Sequence, residues 1–349
     1  MIMLERAVPE RLLLYEVLLK RIDPAHEEYG RMFLTYQNMK KGYFGELRSD
    51  REWKEIQIIQ SHYLFHSYES VNQFGHTHQI DTLFLCRRFI LVMESKDIGG
   101  IIDFDDKTRQ FTQTRMDGTK VIFSNPVDQV LRHKAFVELE LMKLGIRIPI
   151  IAVITITDPS TTFGATSQEV DVFSITGLRS KLIKLFNRFP EVLSENQLDY
   201  VKEHFLVCYK KQELNRKYPN VPLLKGVLCS SCKSKMVHER KGFRCVRCGT
   251  KNSLGMYEAM HDYRLLYKDW ITNSEFRDYV GVESMHTATK MLKRMNLKAV
   301  GEKRYRKYLI PKDIFDKANR FENKAIRIQN QANKIRKPTS TQKNNNRAS

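Results

Sequence analysis

Two short motifs in the first half of the chain combine acidic side chains with a lysine. Gln79-Ile80-Asp81 lies beside an apolar, strand-like run, and Glu94-Ser95-Lys96 follows the next such run, thirteen residues after the aspartate. If the two runs are neighbouring strands of a sheet, Asp81, Glu94 and Lys96 meet at one point. Two carboxylates and an ammonium group there would hold a divalent ion and a water molecule against a phosphodiester. The spacing therefore predicts metal-assisted hydrolysis.

The elements that must position these residues are two buried strands. Residues 82–86 and 89–93 are strand-like, and the pair Arg87-Arg88 between them favours a tight hairpin. The second run is apolar at every position, which indicates a central strand buried on both faces. Because side chains alternate along a strand, Glu94 and Lys96 project to the same face. Burial of such charges is costly unless they meet an ion, a substrate or each other.

Helical patterns precede these strands. Residues 5–22 and 27–44 have helical periodicity, the second helix is predicted to end at residues 42–46, and residues 56–59 are predicted to form another strand. An alternative remains for the acidic motif itself. An acid-x-Lys triplet is also common as a strand-edge ion pair, in which case Asp81 would be unrelated.

Four of the six cysteines are arranged as two Cys-x-x-Cys pairs separated by twelve residues, namely Cys229, Cys232, Cys245 and Cys248. In a reducing compartment this spacing indicates a closed, tetrahedral and structural Zn²⁺ site, as in a zinc ribbon. A redox or disulfide role is the competing interpretation. Cys86 and Cys208 lie in apolar contexts and are interpreted as small core residues.

The positive charge is concentrated near the C-terminus. Residues 1–218 contain 30 Lys and Arg against 29 Asp and Glu, whereas residues 219–349 contain 29 against 11. Such asymmetry points to a polyanionic partner, of which nucleic acid is the obvious example. The alternative is a basic surface that merely favours solubility.

The basic half has the pattern of a winged helix-turn-helix module. Helical periodicity covers residues 257–270, a second helix begins at residues 272–275 and ends near Gly281, and a third carries an apolar stripe at Met285, Ala288, Leu292 and Met295. Two short strands follow at residues 298–300 and 305–310. Seven cations on the third helix and the hairpin are predicted to bind nucleic acid: Lys290, Lys293, Arg294, Lys303, Arg304, Arg306 and Lys307. A small helical subdomain that does not touch nucleic acid is the alternative.

Neither a membrane span nor a signal peptide is predicted. The longest apolar stretch, residues 148–156, contains a proline and is far shorter than the roughly 20 residues that a spanning helix needs. Residues 12–19 are interrupted by Glu16 and lack a small-residue cleavage site. We therefore expect a cytoplasmic protein without a membrane partner.

Several spaced motifs together resemble the nuclease-related domain called NERD, which is similar to the PD-(D/E)xK restriction-endonuclease-like superfamily. The resemblance covers about residues 38–155 and rests on five motifs in order: Gly45-Glu46, Gln79-Ile80-Asp81, Glu94-Ser95-Lys96, Gly100-Ile101 and Asn125-Pro126 with Gln129.

The resemblance implies a mixed sheet flanked by helices, with Asp81 and Glu94 binding Mg²⁺ or Mn²⁺. Lys96 would orient the attacking water or stabilise the developing phosphorane charge. Glu46 would be an outer ligand or would polarise the site, and Gln129 would support it from a later helix. One departure is Thr82, where the family often has histidine, so any role for that position is in doubt.

The fold class is therefore expected to be α/β, with a restriction-endonuclease-like mixed sheet flanked by helices, a small zinc ribbon and a winged-helix-like domain. The expected segments are 1–37, N-terminal helices; 38–155, the nuclease-like domain; 156–220, a helical extension and linker; 221–254, the zinc ribbon; 255–316, the winged-helix-like module; and 317–349, a basic low-complexity tail, disordered after Pro338.

The expected function is metal-dependent hydrolysis of phosphodiester bonds in DNA, with C-terminal modules that bind nucleic acid. A DNA-binding regulatory or structural protein without turnover and an RNA-directed nuclease are the alternatives. Endo- or exonuclease action, sequence specificity and oligomeric state leave no signature in the sequence.

Overall fold

The polypeptide packs as two compact units. The computed structural model of the chain describes residues 1–239 and 242–315. Unit 1 comprises Met1–Leu12 and Phe33–Asn215, and unit 2 comprises Leu13–Met32 and the residues from Arg216 onward. Residues 1–37, expected to form one helical segment, thus divide between the two units. Within the described part of the chain, no helix is both long enough and apolar enough to cross a membrane.

The first 215 residues contain ten strands and five α-helices. In chain order they are β1 (Ile2–Leu4), α1 (Glu10–Arg21), α2 (Tyr29–Glu55), β2 (His62–Val71), β3 (Thr77–Cys86), β4 (Ile90–Lys96), β5 (Gly100–Asp105), β6 (Gln110–Thr114), β7 (Lys120–Phe123), α3 (Pro126–Lys143), β8 (Ile150–Ile156), β9 (Thr161–Phe163), β10 (Asp171–Ser174), α4 (Leu178–Arg188) and α5 (Glu195–Cys208).

The main sheet of unit 1 has six strands in the order β1-β2-β3-β4-β8-β10. Strands β2, β3 and β4 are antiparallel neighbours, whereas β4, β8 and β10 run parallel. One apolar core joins the Val92 face of the sheet to α3 and α5, and a second joins the Leu91 face to α2 and α4. The α/β class, with a mixed sheet flanked by helices, is confirmed.

Strand β4 is the central strand that its sequence predicted. Side chains from Ile90 to Met93 are fully buried, alternately against the two cores. The predicted hairpin is also present, since the Cys86 N–H donates to the Phe89 carbonyl across the turn at 3.2 Å. A strand of this kind is rigid, and it carries Glu94 and Lys96 at its end.

Two predictions about local structure in this region were wrong, and one strand was missed. The helix α2 runs unbroken through Gly42 and Gly45 to Glu55, whereas the sequence suggested an end near the glycines. Gly45 is needed for close packing instead, because a Cβ there would lie 2.6 Å from the Cβ of Asp97. Residues 56–59 form no regular strand, and β2 was not predicted at all.

The segment 156–220, expected to be a helical extension and linker, also contributes strands. β10 pairs in parallel with β8, and β9 joins β5 at the edge of a second, four-stranded sheet ordered β7-β6-β5-β9. Unit 1 therefore extends well past residue 155.

The described residues of unit 2 form two small antiparallel sheets and three further α-helices. Its elements from residue 236 onward are β11 (Met236–Glu239), β12 (Gly242–Cys245), β13 (Lys251–Asn252), α6 (Gly255–Leu266), β14 (Trp270–Thr272), α7 (Asn273–Val280), α8 (Met285–Arg294), β15 (Ala299–Val300) and β16 (Lys307–Leu309). The first sheet has the order β11-β12-β13 and the second β14-β16-β15.

The predicted start and end of α7 are confirmed. Thr272 and Glu275 form a reciprocal capping box, and Gly281 ends the helix in a left-handed conformation with φ of 79°. The strand β14 was not predicted, because helical periodicity appeared to continue as far as Trp270. Met285, predicted to lie in the apolar stripe of α8, is instead 65% exposed, while Met291 is buried.

Candidate active site

Asp81 and Glu94 lie side by side at the point where the β3–β4 pairing ends. The register pairs Thr82 with Met93, and the next residues along the two strands are Asp81 and Glu94. Oδ2 of Asp81 accepts a hydrogen bond from the Ser95 N–H at 2.8 Å. Both carboxylates are buried, with 7% and 2% of their surface exposed.

Lys96 joins Glu94 to the helix α3. Its Nζ donates to Glu94 Oε1 at 2.7 Å and to Gln129 Oε1 at 3.0 Å. Gln129 lies in the first turns of α3, which begins at Pro126 and is capped by Asn125 through a 2.9 Å hydrogen bond from the Val127 N–H. The Asn-Pro pair thus fixes where the helix starts, and the helix brings the Gln129 amide to Lys96.

Glu46 reaches the same region from α2. Asp81 and Glu94 both interact electrostatically with it, and it lines the same cavity. The structure thus brings all five predicted residues, Glu46, Asp81, Glu94, Lys96 and Gln129, to one place.

Arg6 is a member of this cluster that the sequence did not predict. Its guanidinium, whose side chain is 1% exposed, forms ion pairs with Glu46 and with Asp50, the latter at 2.8 Å. It also donates to the Asp81 carbonyl at 2.8 Å and to Ser67 Oγ at 2.5 Å. No local pattern marks Arg6, because these partners lie at least 40 residues away in the chain.

Burial and like charges shift the pKa values of the acids upward. Burial, followed by repulsion from Asp81, raises the pKa of Glu94 to about 8 and that of Glu46 also to about 8. Burial likewise raises the pKa of Asp81, although Lys96 and the Ser95 N–H oppose this shift. Burial disfavours the charge on Lys96, but the carboxylates of Glu94, Asp81 and Glu46 together outweigh the effect of burial, so the pKa of Lys96 is raised.

These donors fit a divalent cation. Among the described residues, Glu94 Oε2 is a buried oxygen without a hydrogen-bond partner. A cation beside it would give that oxygen a partner and offset the repulsion between Glu94 and Asp81. Within the same described part, Glu46, Asp81 and Glu94 do not bring three oxygens within 4.8 Å of one another. Two carboxylates with several waters are nevertheless the usual protein share of a Mg²⁺ site.

The cluster opens into a polar cavity of about 650 Å³. Exposed Arg115 lies at its rim, and Lys41 at the rim pairs with Asp158 at 3.2 Å. A pocket of this size is in the range that accommodates small ligands or a short segment of a polymer. Its lining residues include Asn38, Lys41, Glu46, Gln79, Asp81, Glu94, Ser95, Lys96, Asp97, Gln113, Arg115, Phe123 and Gln129.

Thr82, which stands where the resembled family often has histidine, lies beside an imidazole from the neighbouring strand. It is fully buried and pairs with His66, whose Nδ1 lies 3.4 Å from the threonine hydroxyl and 3.0 Å from Asp50 Oδ1. The imidazole is therefore linked through Asp50 to Arg6.

In unit 2 the four cysteines of the paired motif converge. Three of their sulfur–sulfur distances are 3.4, 3.5 and 3.6 Å, and all four sulfurs lie within 4.8 Å of one another. The two turns repeat one geometry, because the N–H groups of Lys233 and Gly249 donate to the carbonyls of Cys229 and Cys245 at 2.9 Å. The four sulfurs could hold one tetrahedral metal ion.

The predicted nucleic-acid-binding cations of α8 lie together. Lys290, Lys293 and Arg294 are exposed and line one open cavity with Thr287 and His238. Ala288 and Leu292 are buried in the core of unit 2, and Met291, which also lines this cavity, is buried as well. The helix α8 is therefore strongly amphipathic.

The remaining predicted cations lie in or next to the hairpin. Lys303, Arg306 and Lys307 are exposed, and Lys307 Nζ lies 5.0 Å from the centre of the Trp270 ring. The side chain of Arg304 and the predicted basic tail, residues 317–349, lie outside the described part of the structure.

The mixed sheet of unit 1 and the cavity lined by Asp81, Glu94 and Lys96 define the class of protein as α/β with an acidic, lysine-containing cavity. Residues 41–157 match the family model described as NERD, the nuclease-related domain. This segment is therefore similar to the nuclease-related domain, and the resemblance seen in the motifs is confirmed. The match covers about a third of the chain and contains every acidic, lysine and glutamine residue of the predicted site.

Comparison with curated proteins gave no match. Comparison with solved structures gave the small subunit of the heterodimeric restriction endonuclease R.BspD6I, which is 16% identical. The alignment covers 57% of this chain and 98% of that chain, with a TM-score of 0.19. A TM-score this low does not establish a shared fold.

Proposed function

We propose that this protein is a metal-dependent nuclease that hydrolyses phosphodiester bonds in DNA. The observation that carries the proposal is the buried Glu94 Oε2, unpartnered among the described residues, in a cavity shared with Asp81 and Lys96. The nuclease-related domain that contains all three residues supports the same conclusion.

Asp81 and Glu94 would hold Mg²⁺ or Mn²⁺. Bound there, such an ion would supply Lewis acidity and lower the pKa of a coordinated water. Asp81 is oriented for this role by the Ser95 N–H, and Glu94 is oriented by Lys96 through its other oxygen. Each acid therefore has one oxygen fixed by the protein.

Lys96 would stabilise the negative charge that develops on the phosphate. Gln129 and Glu94 hold its ammonium group at a fixed place in the cavity, so little reorganisation is needed during the reaction. Gln129 is in this scheme a positioning residue. Glu46, anchored by Arg6, would act as an outer carboxylate, and Arg115 at the rim is placed to bind a phosphate of the substrate.

The decisive experiment is incubation of the purified full chain with plasmid, linear and single-stranded DNA and with RNA. We expect loss of DNA in Mg²⁺ or Mn²⁺ and none in EDTA, because the carboxyl groups of Asp81 and Glu94 supply no Lewis acid that could activate a water molecule without a bound cation. Stable protein–DNA complexes with no cleavage under any condition would contradict the proposal and favour a binding protein. Cleavage of RNA alone would overturn the choice of DNA.

We further propose that unit 2 binds the nucleic acid through a winged helix-turn-helix module supported by a structural Zn²⁺ at the four cysteines. The order β14, α7, α8 and hairpin β15–β16 supports this assignment. In this scheme α8 enters the major groove and the hairpin cations bind the phosphate backbone.

Removal of the α8 cations should weaken binding in a salt-dependent way. For the triple variant Lys290→Ala/Lys293→Ala/Arg294→Ala, we expect the logarithm of the association constant for DNA to fall less steeply with the logarithm of the salt concentration. The slope should fall by about 0.9 for each phosphate that the protein no longer neutralises, hence by up to about 2.7. The measurement is fluorescence anisotropy of labelled DNA at several salt concentrations.

The control for this experiment removes the same charge from unit 1. Lys54→Ala/Lys107→Ala/Lys184→Ala changes three exposed lysines and should leave the slope unchanged. Equal effects of the two triple variants would show that only net charge matters and would contradict a specific role for α8.

A further inference from the structure

Unit 1 contains a second convergence of metal-binding side chains, separate from the acidic cavity. Glu140 lies near the end of α3, and His204 and Cys208 lie one turn apart on α5, so both project from the same helix face. His204 Nε2 lies 2.9 Å from Glu140 Oε2 and 3.5 Å from Cys208 Sγ, and Cys208 Sγ lies 3.7 Å from the same oxygen. Cys208 is thus half-buried among polar groups, and the prediction of a plain core residue was wrong.

These distances can be compared with those of a tetrahedral zinc site. Zn–S bonds of about 2.3 Å and Zn–N or Zn–O bonds of about 2.0–2.2 Å place the ligand atoms about 3.4–3.6 Å apart. The nitrogen–sulfur and sulfur–oxygen distances, 3.5 and 3.7 Å, already fit. Only the nitrogen–oxygen distance of 2.9 Å is too short, and a small rotation of the partly exposed His204 ring would lengthen it.

The surroundings of Glu140 suit a metal-bound carboxylate. Its side chain is 6% exposed, and its other oxygen, Oε1, pairs with Lys143 at 2.5 Å. Metal-bound carboxylates typically have such a second partner, which fixes their orientation. Lys143 therefore leaves Oε2 facing His204 and Cys208.

We propose that Glu140, His204 and Cys208 form a second Zn²⁺ site, with the fourth position open to water. A thiolate and an imidazole select zinc over magnesium, which prefers oxygen ligands alone. The ion would link the end of α3 to the end of α5. This proposal does not depend on the nuclease activity, since none of the three residues lines the acidic cavity.

The test is the zinc content of the full chain after equilibration with micromolar free Zn²⁺ and removal of unbound metal. We expect two equivalents per chain, one at the four cysteines and one at the new site. Cys208→Ser and His204→Ala should each reduce the content to one equivalent. Cys86→Ala, which removes a buried thiol outside both clusters, should retain two.

A variant that conserves packing separates metal loss from misfolding. His204→Gln can still donate a hydrogen bond to Glu140 but is a poor zinc ligand, so it should melt at nearly the parent temperature in the presence of a chelator. Without the chelator it should still bind one equivalent. One equivalent in the parent protein, or two in both Cys208→Ser and His204→Gln, would overturn the proposal. The three side chains would then be a hydrogen-bonded cluster only.

Discussion

Glu94→Gln should abolish phosphodiester hydrolysis while leaving unit 1 folded. Burial and Asp81 raise the pKa of Glu94 to about 8, and glutamine imitates the neutral form that burial favours while keeping an oxygen for Lys96. An ionised carboxylate binds a divalent cation much more strongly than a neutral amide oxygen does. Loss of this ligand should remove about 4 kcal/mol of transition-state stabilisation, or about a thousand-fold in rate.

Three measurements check this prediction. Plasmid cleavage in Mg²⁺ should fall to the EDTA background, calorimetric Mn²⁺ binding should weaken, and DNA affinity should stay within several-fold of the parent. The matched control is Glu138→Gln, an exposed carboxylate on the outer side of α3, which should cleave normally. Undiminished turnover in Glu94→Gln would remove Glu94 from the proposed site.

Cys245→Ser should release the metal of the four-cysteine cluster and destabilise unit 2. Cys245 is fully buried beside Met236 and Phe243, so the cluster is continuous with the apolar core. Structural zinc contributes about 10–16 kcal/mol to the folding of zinc-finger peptides, and little of that remains when one of four thiolates is lost. DNA binding should weaken with it, because α8 packs in the same core.

Zinc content and thermal melting followed by circular dichroism test this second prediction. The parent should lose one melting transition on chelation, and Cys245→Ser should lack that transition from the start. Cys86→Ala, a buried cysteine remote from the cluster in sequence, serves as the control and should keep its zinc. An unchanged metal content and melting profile in Cys245→Ser would rule out a structural metal at these cysteines.

The sequence was most informative where a single pattern has a single structural solution. Five consecutive apolar residues before Glu94 indicated a strand buried on both faces, and the structure agrees. Paired Cys-x-x-Cys turns indicated convergent sulfurs for the same reason. The Asn125-Pro126 motif coincides with the start of α3, where proline needs no hydrogen-bond donor and asparagine caps the helix.

The sequence misled where long-range packing overrides the local signal. Gly42 and Gly45 suggested a helix end, but at Gly45 the missing Cβ lets α2 approach Asp97 closely. Strand β2 was missed because polar side chains such as His66 interrupt its apolar pattern. Arg6 could not be foreseen as part of the site, since only the folded sheet brings it to the acids.

The buried guanidinium of Arg6 lies outside the segment that matches the family model, so that segment is not complete when it is expressed alone. A fragment limited to residues 41–157 would leave the carboxylates of Glu46 and Asp50 without their counter-ion and would remove strand β1 from the sheet edge. A protein fragment with those limits, or a fusion that contains it, would therefore lack the arginine that pairs with both carboxylates. Boundaries for such work belong outside the recognised segment, on both sides.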